Sequence, residues 1–315
     1  MMNSEVIITG GTGLIGSHIA YKLAKENFQV VLFDLNPRKL DFLNEIKDNI
    51  TIFKGDITSR KDLSEVCQNN IKGIIHTAAL PVETVCREDT SLAFKVNVEG
   101  TLNVLEVARI NKIKVINLST YSVYGERKDL KPINEDDPVQ PTGFYSTMKI
   151  MAEYLTRNYI EILNLDAIII RTSWVYGPSL MTVQTPQSIF LKKILSGGRI
   201  YMPNGRDHPI DCTYVKDLAT GIYLAYIKKT VCNRVFNISG GKLYKLHEIA
   251  DAIKKVIPDA EIQLGAGYSE ELLKQAVIRG PGNINRAKKE LGYEPQYPLE
   301  EGIKEYVDWL KKQKY

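Results

Sequence analysis

Near its start the chain runs from an apolar stretch, Val6-Ile7-Ile8, straight into Thr9-Gly10-Gly11-Thr12-Gly13-Leu14-Ile15-Gly16-Ser17 and on into a helical pattern from Leu14 to Glu26. Few folds use glycines in this way. Gly10 and Gly13 let a backbone turn tightly and approach a pyrophosphate, and Gly16 lets the helix pack close to the strand it follows. The helix N-terminus then offers unpaired N–H groups and positive dipole to phosphate oxygens. A second strand, Val30 to Phe33, ends at Asp34, eighteen residues after Gly16. A carboxylate there accepts from both ribose hydroxyls and repels a 2′-phosphate, so NAD is expected rather than NADP.

The remainder of the first half keeps the same rhythm. Ile50 to Phe53, Gly73-Ile74-Ile75, Lys114 to Leu118 and Ala167 to Ile170 read as strands. Pro37 to Ile46, Leu63 to Val66, Leu92 to Ile110 and Tyr145 to Leu163 read as the helices between them. Strands apolar on both faces, alternating with helices, imply a doubly wound, Rossmann-like α/β fold with a parallel sheet. After Tyr176 prolines and glycines break the pattern into shorter elements. The expected division is therefore 1–176 as the NAD-binding domain and 177–315 mainly as a smaller substrate-binding lobe. Segments near 210–240 return to the first unit.

Composition narrows the classes of function. The chain has 315 residues and a net charge of only +4, with the basic residues scattered, so no nucleic-acid partner is expected. The Lys311-Lys312-Gln313-Lys314 tail reads as a solvated helix end. Cys67, Cys86, Cys212 and Cys232 lack metal-ligand spacing, so neither a metal site nor a disulfide framework is expected. Met1-Met2-Asn3-Ser4-Glu5 lacks the basic region of a secretory signal, and no apolar run is long enough to span a bilayer. A cytoplasmic protein without a membrane partner is the expectation.

Tyr145 and Lys149 are four residues apart on a helical pattern, hence on one face. An ammonium beside a phenol stabilises the phenolate and yields a base able to take a carbinol proton. Thr120, in Ser119-Thr120-Tyr121-Ser122-Val123-Tyr124-Gly125, stands at the end of a strand, on the rim where ligands of open α/β sheets bind. Asp56 and Ile57 after the third strand suit adenine, and Thr77, Ala78 and Ala79 after the fourth are small enough for close backbone approach to a cofactor. His76 on its own reads as a satisfied core residue.

Taken together, TGGTGLIGS, Asp34, Gly55-Asp56, HTAA, Asn97, STYSVYG, YSTMK, RTSWVYGP, YVKD and FNISGG resemble the extended short-chain dehydrogenase/reductases, more narrowly their NAD-dependent epimerase/dehydratase branch. The resemblance implies Tyr145 as catalytic base, Lys149 as its partner and Thr120 as a hydrogen-bonding residue at the reacting oxygen. It implies cofactor contacts at Gly10, Gly13, Leu14, Ile15, Gly16, Asp34, Asp56, Ile57, Thr77, Ala78, Ala79, Asn97, Tyr145, Lys149, Thr172 and Ser173. The substrate set is Thr120, Ser122, Tyr145, Trp174, Arg206 and Arg279. It further implies a homodimer formed by the helices Leu92 to Ile110 and Tyr145 to Leu163.

Three departures from the family bear on the substrate, a sugar or nucleotide sugar. Tyr121-Ser122 replaces the Asp-Glu pair of the 4,6-dehydratases, so dehydration is not expected. Trp174 replaces the asparagine of the usual NVYGP, and RTSWVYG is similar to dTDP-4-dehydrorhamnose reductases. Ile210 and Gly280 fall where the family places arginines for a diphosphate; Arg206, His208 and Arg279 are the nearby substitutes. The expected function is a sugar epimerase of the UDP-glucose 4-epimerase type. An NAD-dependent dehydrogenase or reductase acting on an un-nucleotidylated sugar, sugar acid or polyol is the second reading, and a non-catalytic dinucleotide-binding regulator the third.

Overall fold

Seven parallel strands organise the molecule, and their β-branched, doubly apolar sequences explain why the sheet is covered on both faces. The computed structural model describes residues 5–67, 70–179, 185–275 and 277–313. Met1 to Ser4, and Lys314 of the basic tail, lie outside them.

In chain order the first elements are β1 (Glu5–Thr9), α1 (Leu14–Lys25), β2 (Gln29–Asp34), β3 (Ile50–Lys54), α2 (Arg60–Val66) and β4 (Ile71–His76). They are followed by α3 (Glu83–Glu88), α4 (Thr90–Phe94), α5 (Gly100–Asn111), β5 (Lys114–Thr120), α6 (Phe144–Glu161), β6 (Ala167–Thr172) and β7 (Trp174–Tyr176). The last part holds α7 (Pro186–Leu195), β8 (Ile200–Met202), β9 (Pro209–Tyr214), α8 (Val215–Ile227), β10 (Val235–Asn237), β11 (Leu243–Lys245), α9 (Leu246–Val256), β12 (Ile262–Leu264), α10 (Glu270–Gln275), α11 (Asn285–Leu291) and α12 (Leu299–Lys312).

Strand order in the main sheet is β10-β6-β5-β4-β1-β2-β3, so the order reverses between β4 and β1. A crevice opens there at the carboxyl ends of the strands. β10 pairs in parallel with β6, Val235 opposite Ile169, which carries this late segment back to the sheet. One apolar layer joins α1 and α8 to the sheet through Ile19, Leu23, Leu218 and Ile222. The opposite layer joins α2 and α5 through Leu63, Val104 and Leu105. A further core gathers Phe190, Leu191, Ile249, Ile253, Ile303 and Leu310 from α7, α9 and α12. Each layer buries tens of side-chain methyl groups, which is the main drive for folding.

Two local expectations change. Pro37 to Ile46 is not an α-helix: a 3-10 segment covers Asp41–Asn49 and bends at Ile46, where the backbone is non-helical. Only Leu43 and Ile46 of this segment reach the core, too few to hold full α-turns. The single helix expected from Leu92 to Ile110 is interrupted by a π-turn at Lys95–Glu99, which turns Asn97 inward. The four cysteines are all free. Among the described residues no helix is long and apolar enough to cross a membrane, and no cluster of metal-binding side chains occurs.

Candidate active site

A cavity of about 740 Å³ lies over the strand ends at the point where the sheet order reverses. Its floor at one end is the glycine turn. Gly10 has φ +65°, and a Cβ there would stand 2.9 Å from the Ala78 Cα, so the turn and the HTAA segment touch through backbone. A Cβ on Gly16 would stand 2.3 Å from the Gly10 carbonyl oxygen, which lets α1 begin directly above the loop. No acidic residue and no side-chain cap occupies the start of α1, leaving its first N–H groups for an anion. Leu14 and Ile15 complete this wall.

Asp34 closes the groove at the end of β2. Its Oδ2 accepts from the Thr12 N–H (3.0 Å) and hydroxyl (2.7 Å), and its Oδ1 from the Asn36 N–H (3.1 Å). The carboxylate is thereby fixed while still facing the cavity. Asp56, Ile57, Thr77, Ala78 and Ala79 line the same groove. The buried Thr172 hydroxyl, also on the lining, has no partner within the described residues, a polar group that a bound ligand would satisfy. A cradle emptied of side chains, a free helix N-terminus and a fixed carboxylate fit a dinucleotide of the NAD type.

Thr120, Ser122, Tyr145, Lys149, Ser173, Trp174 and Arg279 line the same cavity. Thr120 Oγ1 accepts from the Ser122 N–H at 3.2 Å and lies 3.3 Å from its hydroxyl, so both hydroxyls face one point. Burial pushes the Tyr145 phenol up, and it holds Lys149 down to about 8 while the Glu153 carboxylate pulls that amine the other way. Glu153 itself is locked. It accepts from Arg171 Nε (2.9 Å) and Nη2 (2.6 Å) and from Ser119 Oγ (2.5 Å). Tyr145, Lys149 and Glu153 thus follow one helix face from solvent side to core.

Not every residue singled out from the sequence reaches the cavity. Arg206 is exposed and absent from its lining; its backbone bonds Gly265 and His247. His208 is buried outside it. Asn97 also lies behind the wall, bonded through its side chain to the Leu80 N–H (2.9 Å) and carbonyl (3.1 Å). His76 is a satisfied core residue: its Nδ1 meets Thr9 Oγ1 at 2.7 Å and its Nε2 meets Thr101 Oγ1 at 3.1 Å. Burial holds it neutral, with its pKa down at about 3. Sequence reasoning missed Glu83 and Arg38, both on the cavity lining, and Glu153. Only Glu153 carried a signal, one further helical step after Lys149.

Comparison with known proteins identifies the family. The family model described as "NAD dependent epimerase/dehydratase family" matches residues 6–239. The UDP-glucuronate 4-epimerase of Thermodesulfobacterium geofontis is 31% identical, over 97% of this chain and 95% of its own. The crystal structure of a Thermotoga maritima UDP-glucose 4-epimerase with UDP-glucose superposes with a TM-score of 0.87 at 25% identity, covering 99% of this chain and 100% of that one. A UDP-N-acetylglucosamine 4-epimerase from Methanobrevibacter ruminantium, in complex with UDP-N-acetylmuramic acid, gives 0.88 at 25% identity, with coverage of 99% and 100%. The chain belongs to the NAD-dependent epimerase/dehydratase family, enzymes of the extended short-chain dehydrogenase/reductase type whose cofactor is NAD.

Proposed function

We propose that this enzyme is a nucleotide-sugar epimerase that inverts one carbinol carbon. The observation that carries the reading is one cavity lined together by the glycine turn and Asp34, by Thr120, Tyr145 and Lys149, and by Trp174 and Arg279. When bound, NAD supplies a reversible hydride acceptor. Tyr145, as phenolate, takes the hydroxyl proton as the carbinol becomes a ketone, and gives it back when the carbinol re-forms with the opposite configuration. No net oxidation results. Lys149, as ammonium, favours the phenolate, and Thr120 hydrogen-bonds the reacting oxygen. Tyr121 and Ser122 offer no acid for eliminating water, which separates this reading from dehydration. Residues 177–315 mainly supply the substrate side.

The test is to incubate the holoenzyme with UDP-glucose, UDP-glucuronate and UDP-N-acetylglucosamine in turn. Inversion of one of them without net cofactor reduction supports the reading. Tyr145→Phe should lower that turnover by far more than about tenfold, or roughly 1.4 kcal/mol of barrier; a smaller loss refutes the base assignment.

A second reading rests on Ile210, Gly280 and Trp174, which leave Arg279 as the lining arginine that comes from the later part of the chain. A dehydrogenase acting on an un-nucleotidylated sugar or sugar acid needs no diphosphate anchor. Failure of UDP to bind the holoenzyme in a calorimetric titration, together with net cofactor reduction by a free sugar, selects it.

The proposal includes a homodimer. Phe144, Met151 and Tyr154 share one exposed face of α6, with Ile162 at its C-terminal cap 70% exposed, beside Leu92 and Phe94 at α4. Six large apolar side chains on adjoining helices suit a self-complementary interface. Light scattering should give twice the chain mass, and Ile162→Glu the chain mass alone.

A further inference from the structure

α6, the helix that carries Tyr145 and Lys149, opens without a cap of its own. Its N-cap is Gly143, which has no side chain, and its first turn holds no acidic residue. Ser146 Oγ serves the Gly143 N–H at 3.1 Å. The next two donors, the N–H groups of Phe144 and Tyr145, are satisfied from a distant part of the chain. They donate to Glu83 Oε1 (3.1 Å) and Oε2 (3.0 Å). The carboxylate sits so close to the chain that a Cβ on Gly143 would be 2.4 Å from Oε2. Arg87 Nε, one turn along α3, donates to Oε1 at 3.0 Å and holds the side chain in place.

The segment that delivers Glu83 is itself held under strain. Leu80 is gripped at both N–H and C=O by the Asn97 amide, which the π-turn directs inward. Between that grip and Glu83, Val82 has φ +83°, a conformation β-branched residues rarely adopt. Such strain persists only where the surroundings hold both ends, and here the ends are Asn97 and the start of α6. Leu80, Pro81, Val82 and Glu83 all line the cavity.

We infer that Glu83 is a positioning residue for the catalytic tyrosine: Asn97, the Leu80–Glu83 strap and the Glu83 carboxylate fix the backbone of Tyr145 relative to the cofactor groove. This role for Glu83 rests on the reading of Tyr145 as base. An uncapped first turn frays, because its N–H groups turn to water. A displacement of about 1 Å at a reacting group costs on the order of a hundredfold in rate. A carboxylate is the better cap here, since its charge also opposes the positive helix end.

Glu83→Ala and Glu83→Gln, each as holoenzyme, test this. Glu83→Ala should lower kcat at least tenfold while KM and NAD affinity change less than twofold. It should also speed amide hydrogen exchange at Phe144 and Tyr145 about tenfold. Glu83→Gln, which keeps one acceptor oxygen at the same reach, should recover at least half of both losses on a logarithmic scale. Exchange at those amides unchanged in Glu83→Ala overturns the inference, as does kcat within twofold of wild type. A KM that rises as far as kcat falls, or no recovery in Glu83→Gln, overturns it too. Should Glu83→Ala not fold, Glu83→Gln carries the test: a partial loss of kcat together with faster exchange at Phe144 or Tyr145 supports the inference, and values equal to wild type in both overturn it. Full turnover in Tyr145→Phe would instead refute the base assignment, and the exchange data would still report on the cap.

Discussion

Replacing Glu153 with glutamine removes the charge of one member of a buried ion pair. Arg171 and Glu153 are 1% and 0% exposed. The guanidinium places Nε and Nη2 on Glu153, donates Nη1 to the Glu135 carbonyl at 3.0 Å, and lies 4.7 Å over the Tyr124 ring. A buried charge that loses its partner costs about 3–5 kcal/mol. Glutamine retains one carbonyl acceptor, so the lower end, about 3 kcal/mol, is expected. Urea unfolding of Glu153→Gln at neutral pH measures it. The double variant Glu153→Leu with Arg171→Met removes both charges and should be more stable than Glu153→Gln, because no uncompensated ion is left. Loss of the carboxylate also removes the attraction that raises Lys149, now at about 8. Its ammonium then fades at lower pH, and the alkaline limb of the activity profile should move down. A stability loss below about 1 kcal/mol, the range of exposed pairs, would refute the burial argument. An unmoved alkaline limb would refute the link to Lys149.

Other perturbations probe separate parts of the site. Gly10→Ala forces a left-handed residue against the Ala78 backbone at 2.9 Å; NAD binding followed by fluorescence should fall by more than tenfold. Asp34→Ser removes the carboxylate that repels a 2′-phosphate, and the ratio of NADP to NAD affinity should rise at least tenfold. Burial pushes Asp211 up to about 7, although the Gly282 N–H and Ser239 hydroxyl favour its ionised form. Its folded pKa lies above the unfolded one, so that contribution to stability is full below about pH 4 and lost as pH rises to about 7. Asp211→Asn should therefore gain on wild type by about 4 kcal/mol between pH 4 and pH 8, read from urea midpoints. An equal difference at both pH values would refute the assignment.

Much of this protein is determined locally and is legible in its sequence. The glycine turn, Asp34, and the Tyr145–Lys149 spacing each express a rule that operates over a few residues: positive φ, helix periodicity, the end of a strand. Their convergence follows as well, because parallel strands with right-handed crossovers bring every strand's carboxyl end to one rim. Thr9, Asp34, Thr120 and Thr172 all end strands of the main sheet. Local elements with weak apolar support were less legible, as the 3-10 segment at Asp41–Asn49 illustrates.

Only the tertiary structure decided which groups answer one another across the chain. Arg206 and Arg279 look equivalent as substitutes for absent arginines, yet Arg279 alone of the two lines the cavity. Lys149 shares its helix with Glu153, but that carboxylate is pinned by Arg171 of β6, a strand formed later in the chain. Glu83 carries no motif at all; the α6 N–H groups that it caps lie sixty-one and sixty-two residues away. Periodicity reports which face a residue occupies and says nothing of what stands opposite. Unpaired donors and buried charges must be matched in three dimensions, and distance along the chain does not limit where the match is found.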